Sequence, residues 1–239
     1  VVDNGGGSFT LNGTGGADVI EIVDSGAAGD GEFSVTLNTG ETHVFTGVAA
    51  MTALTINALA GLDQIRYTSI DSLYTGTIAL DTGADHDLLI GPSVANAWSL
   101  TGAGSGTLTP TGLRPITFTD VNAFTGGTGS DTFTVSVGGS LTGQIQGADG
   151  TDTVAAAAPG TTWTVTGAGT GSATVDAQVL AFTSIEDITL FFDDDDNDVR
   201  ITQRAAGGIS VEPVAANAFT PATVTSTAAS PGLTIDLRG

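Results

Sequence analysis

"TGGTGSDTFTVSV", Thr125 to Val137, sets two patterns end to end. Its first seven residues are glycine and small polar residues closing on Asp131. Its last six alternate polar and apolar. Glycine reaches backbone conformations that other residues avoid, and Asp hydrogen-bonds its own turn. Alternation is the period of a strand with one face buried. The stretch therefore reads as a turn that delivers a strand. The same pair recurs at "NGTGGADVI" (12–20), "NALAGLDQI" (57–65), "DTGADHDLL" (81–89) and "QGADGTDTV" (146–154). Four of these five turns carry Gly two places before the Asp. "FFDDDDNDVRI" (191–201) fits the same register with Asp in place of Gly and ends its turn at Asp198.

Spacing turns the motif into an architecture. Asp18, Asp63, Asp87, Asp131, Asp152 and Asp198 lie 45, 24, 44, 21 and 46 residues apart. The short steps are near 22 and the long ones near twice that. A longer period is laid over it: "WSLTGAGSGT" and "WTVTGAGTGS" begin at Trp98 and Trp163, 65 residues apart, and Phe118 recurs as Phe182 after 64. A unit of about 22 residues cannot bury its own apolar face and has to stack on its neighbours. The expectation is an all-β fold, a right-handed parallel β-solenoid (β-helix) with coils of about 22 residues grouped in repeats of about 65. Tandem β-sandwiches are the alternative. Inward positions would include Ile20, Ile22, Leu54, Ile56, Ile78, Leu80, Phe133, Val135, Val165 and Ile201. The repeat region runs over residues 1–204. Residues 205–239, with three prolines between 211 and 232, read as a C-terminal strand-rich cap, linker or junction between modules.

At this point the residues resemble a known group. "GGTGSDTF" (126–133) and "GADGTDTV" (147–154) resemble the glycine-aspartate nonapeptide of haemolysin-type calcium-binding repeats. The longer unit, residues 162–190, is similar to repeats of large bacterial surface and secreted adhesins of the filamentous-haemagglutinin kind. The resemblance implies secretion, a solenoid and an adhesive or structural role.

Charge narrows the partners. The chain of 239 residues has a formal net charge of −21, with 26 acidic residues against five arginines and no lysine. A phosphate-binding surface needs clustered cations, which argues against nucleic acid and against anionic membranes. Val48 to Gly61, the most apolar run, is shorter than the roughly 18 residues of a membrane span. Cysteine is absent, so disulfides and thiolate sites are excluded. The opening Val1-Val2-Asp3 reads as a mature piece or as part of something longer.

Stacked turns bring carboxylates about 5 Å apart, where two charges repel by roughly 1–3 kcal/mol at effective dielectrics of 20–80. Calcium, which takes six to eight oxygen ligands, would reverse that sign. The candidate metal ligands are Asp63 with Asp81, Asp85 and Asp87, then Asp131 with Asp149 and Asp152, and last Asp193, Asp194, Asp195, Asp196 and Asp198. The competing reading is that these residues bond their own turn backbone and face water. His43 and His86 each lack a second histidine at ligand spacing. Thr-x-Thr steps such as 107/109, 117/119 and 132/134 look like the threonine ladders of ice-binding solenoids, but they drift in phase along the sequence. They read as outward strand formers. Trp98 and Trp163 read as core.

No catalytic constellation converges, since the aspartates recur in every turn, so the chain is not read as an enzyme. The expected protein is a structural or adhesive module at a bacterial cell surface or outside the cell. Its partners would be neighbouring modules, copies of itself, a cell surface or an extracellular matrix. The second reading is a subunit of a filament or sheath that assembles end to end. A polysaccharide-active β-helix enzyme is the third.

Overall fold

Strands form wherever apolar and polar residues alternate, and the path between them follows the glycine-aspartate turns. The computed structural model describes every residue except 39, 157–160, 168, 186, 191–198, 204–208, 214–221, 227–231 and 236–239, and only the backbone of 162, 163, 165–167, 189, 190 and of 199 onward. Two mixed sheets, of eleven and thirteen strands, carry almost all of it. Among the described residues the one helical element is a 3-10 turn at Val48–Ala50, and no helix is long and apolar enough to cross a membrane.

The chain winds between the sheets. β1 (Val2–Gly5) and β2 (Ser8–Asn12) pair as a hairpin at the edge of the first sheet. The second sheet receives β3 (Val19–Val23), β4 (Glu32–Leu37) and β5 (Glu41–Thr46) as an antiparallel meander. Then β6 (Ala53–Asn57) and β8 (Thr77–Asp81) extend the first sheet, while β7 (Gln64–Tyr67) and β9 (Leu88–Ile90) extend the second. A meander of β10 (Asn96–Gly102), β11 (Ser105–Pro110) and β12 (Ile116–Thr119) enters the first sheet. Alternation resumes with β13 (Ala123–Gly127), β14 (Thr132–Val135), β15 (Gln144–Ala148) and β16 (Thr153–Ala156). A second meander, β17 (Thr162–Gly167), β18 (Thr170–Val175) and β19 (Gln178–Thr183), lies in the other sheet. Beyond it, β20 (Asp187–Leu190) and β24 (Gly232–Ile235) extend the first sheet, and β21 (Val199–Gln203), β22 (Ile209–Pro213) and β23 (Ala222–Ser226) the second. Both sheets thus continue past residue 204.

The expected stack of purely parallel coils is corrected here, because both sheets are mixed. The short steps, Asp63 to Asp87 and Asp131 to Asp152, are single parallel rungs. The long steps are not two coils. Asp18 to Asp63 holds the β4–β5 hairpin and Asp87 to Asp131 holds the β10–β12 meander. Each internal meander starts two places out and folds back. β10 pairs with β14, while β12 returns to pair with β8. The 65-residue period is this meander, and it lands on opposite sheets. Gly106 faces Phe118 in the first sheet, and Gly171 faces Phe182 in the second. A Cβ at Gly106 would sit 3.0 Å from Phe118 Cζ, and one at Gly171 would sit 2.7 Å from Phe182 Cζ. Glycine there makes room for the ring.

Apolar side chains line up in columns between the sheets. One column in the second sheet runs Ile20, Ile65, Leu89, Phe124, Ile145, Phe182, each at most 1 % exposed. One in the first runs Leu54, Ile78, Ile116, Leu108, Trp98, Phe133, Val154, Ile188. Trp98 joins the two, with its ring centroid 5.5 Å from Phe133 and 4.8 Å from Phe124 of the facing sheet. Of the inward residues expected, the first eight are buried, and the side chains of Val165, Ile201 and Trp163 lie outside the description.

The threonines that drift in sequence fall into line in space. Thr10, Thr55, Ala79, Thr117, Thr107, Ser99, Thr134 and Ala155 occupy one register row across the outer face of the first sheet. Reversal of direction in β11 hides this alignment from any fixed period.

Phe124→Ala removes the middle of one column and its contact with Trp98. We expect a loss of about 3–5 kcal/mol, read by chemical denaturation. Thr109→Ala on the outer face should stay within about 0.5 kcal/mol.

Candidate metal centre and aspartate rows

A strand that opens straight out of a turn begins with an N–H aimed along the stack. The turn aspartates meet this need for one another. Where the chain passes from the first sheet to the second, the Asp18 N–H donates to Asp63 Oδ1 at 2.7 Å and the Asp63 N–H to Asp87 Oδ1 at 2.8 Å. The Asp87 N–H donates to Asn122 Oδ1 at 2.7 Å. Where the chain passes from the second sheet back to the first, the Asn96 N–H donates to Asp131 Oδ1 and the Asp131 N–H to Asp152 Oδ1, both at 2.8 Å. Because the rungs of each sheet run parallel, these two rows lie on opposite rims. Asp18, Asp63, Asp87, Asp131 and Asp152 are all at least 98 % buried.

Small residues make the space. Five places before each Asp stand Gly13, Ala58, Thr82, Gly126 and Gly147. A Cβ on Gly126 would collide with Asp131 Oδ2 and the Gly147 carbonyl, and one on Gly147 with Asp152 Oδ2. Gly61 and Gly150, two places before their aspartates, have φ of +130° and +134°, and Asp85 takes +89° at the same place.

The two ends of a row differ from its middle. Asp18 is fully engaged: Oδ1 accepts from Asn38 Nδ2 at 2.8 Å and Oδ2 from the Thr14 N–H at 2.6 Å. Asp63 Oδ2, Asp87 Oδ2 and Asp131 Oδ2 are buried with no hydrogen-bond donor. Thr82 lies near Asp87, but its hydroxyl donates to the Thr119 carbonyl at 3.4 Å. Burial pushes the Asp131 carboxyl up to about 6, against the opposing pull of both Asn96 donors and with help from the Asp152 charge. Burial also raises Asp63 and Asp87; neighbouring carboxyls add to it, while backbone N–H bonds and, at Asp87, the Thr82 hydroxyl and the His86 charge oppose it.

The sequence-level candidates are therefore divided. Asp63 lies beside Asp87, and Asp131 beside Asp152, as stacking requires, and each row directs Oδ1 to a backbone N–H. Asp81 and Asp85 are exposed and accept the Gly83 and Gly61 N–H groups at 3.1 and 3.3 Å. Asp149 is exposed, with its N–H on the Gly127 carbonyl. Asp193, Asp194, Asp195, Asp196 and Asp198 lie outside the described residues. His43 bonds Glu41 at 2.9 Å, and exposed His86 lines a shallow groove of about 310 Å³ with Gln144 and Gln146.

A different triad brings carboxylates together. Asp24, Asp30 and Asp71 place one oxygen each within 4.8 Å of one another, the one such set among the described residues. Asp24 follows β3, Asp30 precedes β4, and Asp71 sits in the loop from β7 to β8. The Gly29 and Gly31 N–H groups donate to Asp71 Oδ2, and the Leu73 N–H to Asp71 Oδ1 at 2.7 Å. Burial alone would raise Asp71, but these donors hold it below the usual carboxylate range. Asp30 is exposed, so the triad opens to solvent on one side. Sequence reasoning missed it because the third member is 41 residues from the second and carries no glycine-rich signature. It also missed Asn96 and Asn122, although "NAW" and "NAF" follow the same Asx-x-apolar step as the aspartates.

Gly147→Ala should cost about 1–3 kcal/mol by overpacking the row, read by thermal or chemical unfolding. Gly15→Ala, with open space at its Cβ, should change stability by no more than about 1 kcal/mol in either direction.

Comparison of the chain with known protein families, with curated proteins and with solved structures found no match.

Proposed function

We propose that this chain is a solenoid-like structural module of a secreted or surface-attached bacterial protein, serving as a stiff spacer that carries or joins adhesive parts. The observation that carries the reading is the unbroken column from Ile20 to Phe182, together with the larger set of buried residues that it joins in one core. Stacked rungs of this kind resist bending because each is paired on both sides. The resemblance of the longer unit, residues 162–190, to adhesin repeats points the same way.

Calcium belongs to the proposal at one place. Asp24, Asp30 and Asp71 offer three hard oxygen ligands, one of them exposed, which is a chemistry that suits calcium. Water and backbone carbonyls would complete the shell. An ion there would tie the β3–β4 connection to the β7–β8 loop and so fasten one rung to the next.

The second reading is end-to-end assembly. β1 and β5 form the sheet edges at one end of the stack, and β24 and β21 those at the other. Open edges are templates for pairing with another chain.

Thermal melts in EGTA and in millimolar calcium test the metal. An ion at 100 times its dissociation constant adds about 2.7 kcal/mol, so the melt should rise in calcium and Asp30→Asn should abolish the rise. An unchanged melt removes calcium from the proposal. Sedimentation across a hundredfold concentration range separates the readings: a constant monomer supports the spacer, and growing polymers support the filament.

A further inference from the structure

The buried rows raise a question that hydrogen bonding alone does not answer. Asp63 Oδ2, Asp87 Oδ2 and Asp131 Oδ2 are shut away from water with no donor. The charged and titratable groups facing Asp63 are Asp18, Asp87 and Asp85, all acidic. Asp87 faces Asp63, Asp85, the exposed His86 and the Thr82 hydroxyl, and its N–H donates to Asn122 Oδ1. Asp131 faces Asp152 and the amide of Asn96. Among the described residues the one ion pair is His43 with Glu41, so no arginine balances a row. Nor do the row oxygens converge as a ligand set would; among the described residues only the Asp24 triad does so. Asp131 Oδ2 points at the Cα of Gly126, where a Cβ would already collide.

The chain itself shows what such a position accepts. Asn122 stands one rung beyond Asp87, and Asn96 one rung beyond Asp131. A carboxamide is neutral and has nearly the shape of a protonated carboxyl. A buried, unpaired carboxylate avoids its desolvation cost by taking up a proton.

We propose that the interior members of both rows, Asp63, Asp87 and Asp131, take up protons as the protein folds, so that mild acid tightens the two rims. The rows are then acid–amide ladders, with the proton on the oxygen that lacks a donor.

The sign follows from linkage. A carboxyl whose pKa is raised by folding contributes stability that is complete below its unfolded value and is lost as pH rises through the folded value. For Asp131 that window runs from about 4 to about 6. Asp71 works in the opposite sense, and its contribution is lost only as pH falls below the ordinary carboxylate range.

The test is the thermal midpoint in EGTA from pH 8 to pH 5, with 13C NMR of labelled aspartate carboxyls. We expect the midpoint to rise toward pH 5 and a buried carboxyl to titrate near 6. Asp63→Asn and Asp131→Asn should melt above the parent at pH 8, by at least about 2 °C, and should flatten the pH dependence. Asp149→Asn, an exposed control of equal charge change, should leave that slope in place. A midpoint that falls toward pH 5, carboxyls that all titrate below 4.5, or asparagine variants that keep the parent's slope would each overturn the proposal. If an asparagine variant fails to fold, the NMR titration of the parent chain still decides.

Discussion

Each rung of this protein must find an acceptor for the first N–H of the strand that leaves its turn. Within a sheet the ladder supplies partners, but at the rim the chain has just changed sheets and the neighbouring backbone faces elsewhere. A side-chain oxygen held one rung away fills the gap. Asp and Asn carry a carboxyl or carboxamide oxygen on a short side chain that reaches across from the turn. Much else follows from that demand: a small residue five places before each aspartate to leave room for the carboxyl, an apolar side chain two places later to drop into the core, and, at Gly61, Asp85 and Gly150, a positive φ two places earlier to swing the chain round. Ile20, Ile65, Leu89 and Phe124, the first four members of the column that ends at Phe182, each follow a member of this rim row by two places.

Much of this was legible in the sequence. The Asp-x-apolar step announced both the rim and the inward face, and eight inward residues fell where alternation placed them. What could not be read was direction. A passage from the first sheet to the second uses the same chemistry as a passage back, so one motif served two opposite rims. A hairpin and an extra coil also have similar length and alternation, which is why 44 residues looked like two units. The Thr row across the first sheet was concealed for the same reason, since β11 runs backward through it. Asn96 and Asn122 were overlooked because no glycine precedes them. The Asp24 triad depends on a contact between loops far apart in sequence, which periodicity does not encode.

The acidity of the chain looks different once its carboxyls are sorted by surroundings. Some stand in water, as Asp81, Asp85 and Asp149 do, and cost the fold little. Others are buried: Asp18 accepts from Asn38 Nδ2 and the Thr14 N–H, and Asp71 sits among several N–H donors that favour its charged form. The row interiors, Asp63, Asp87 and Asp131, are buried with Oδ1 accepting a backbone N–H and Oδ2 without a partner. Net charge therefore says little about local electrostatics here, because the same residue type works as surface solute, as backbone cap and as rung connector.

The meanders also bear on how such a chain could assemble as it is made. β10 leaves the preceding rung and takes a place two strands beyond the growing edge, so at first it has no partner on the side of β8. The gap closes only when β11 and β12 fold back, and both are joined to β10 by short turns. The long-range step, docking β12 on β8, thus comes after a set of local pairings that need little loop closure. Each unit then behaves as a small cooperative patch laid down in order from the amino terminus, and an incomplete chain would end on a pocket two strands wide instead of on a smooth edge.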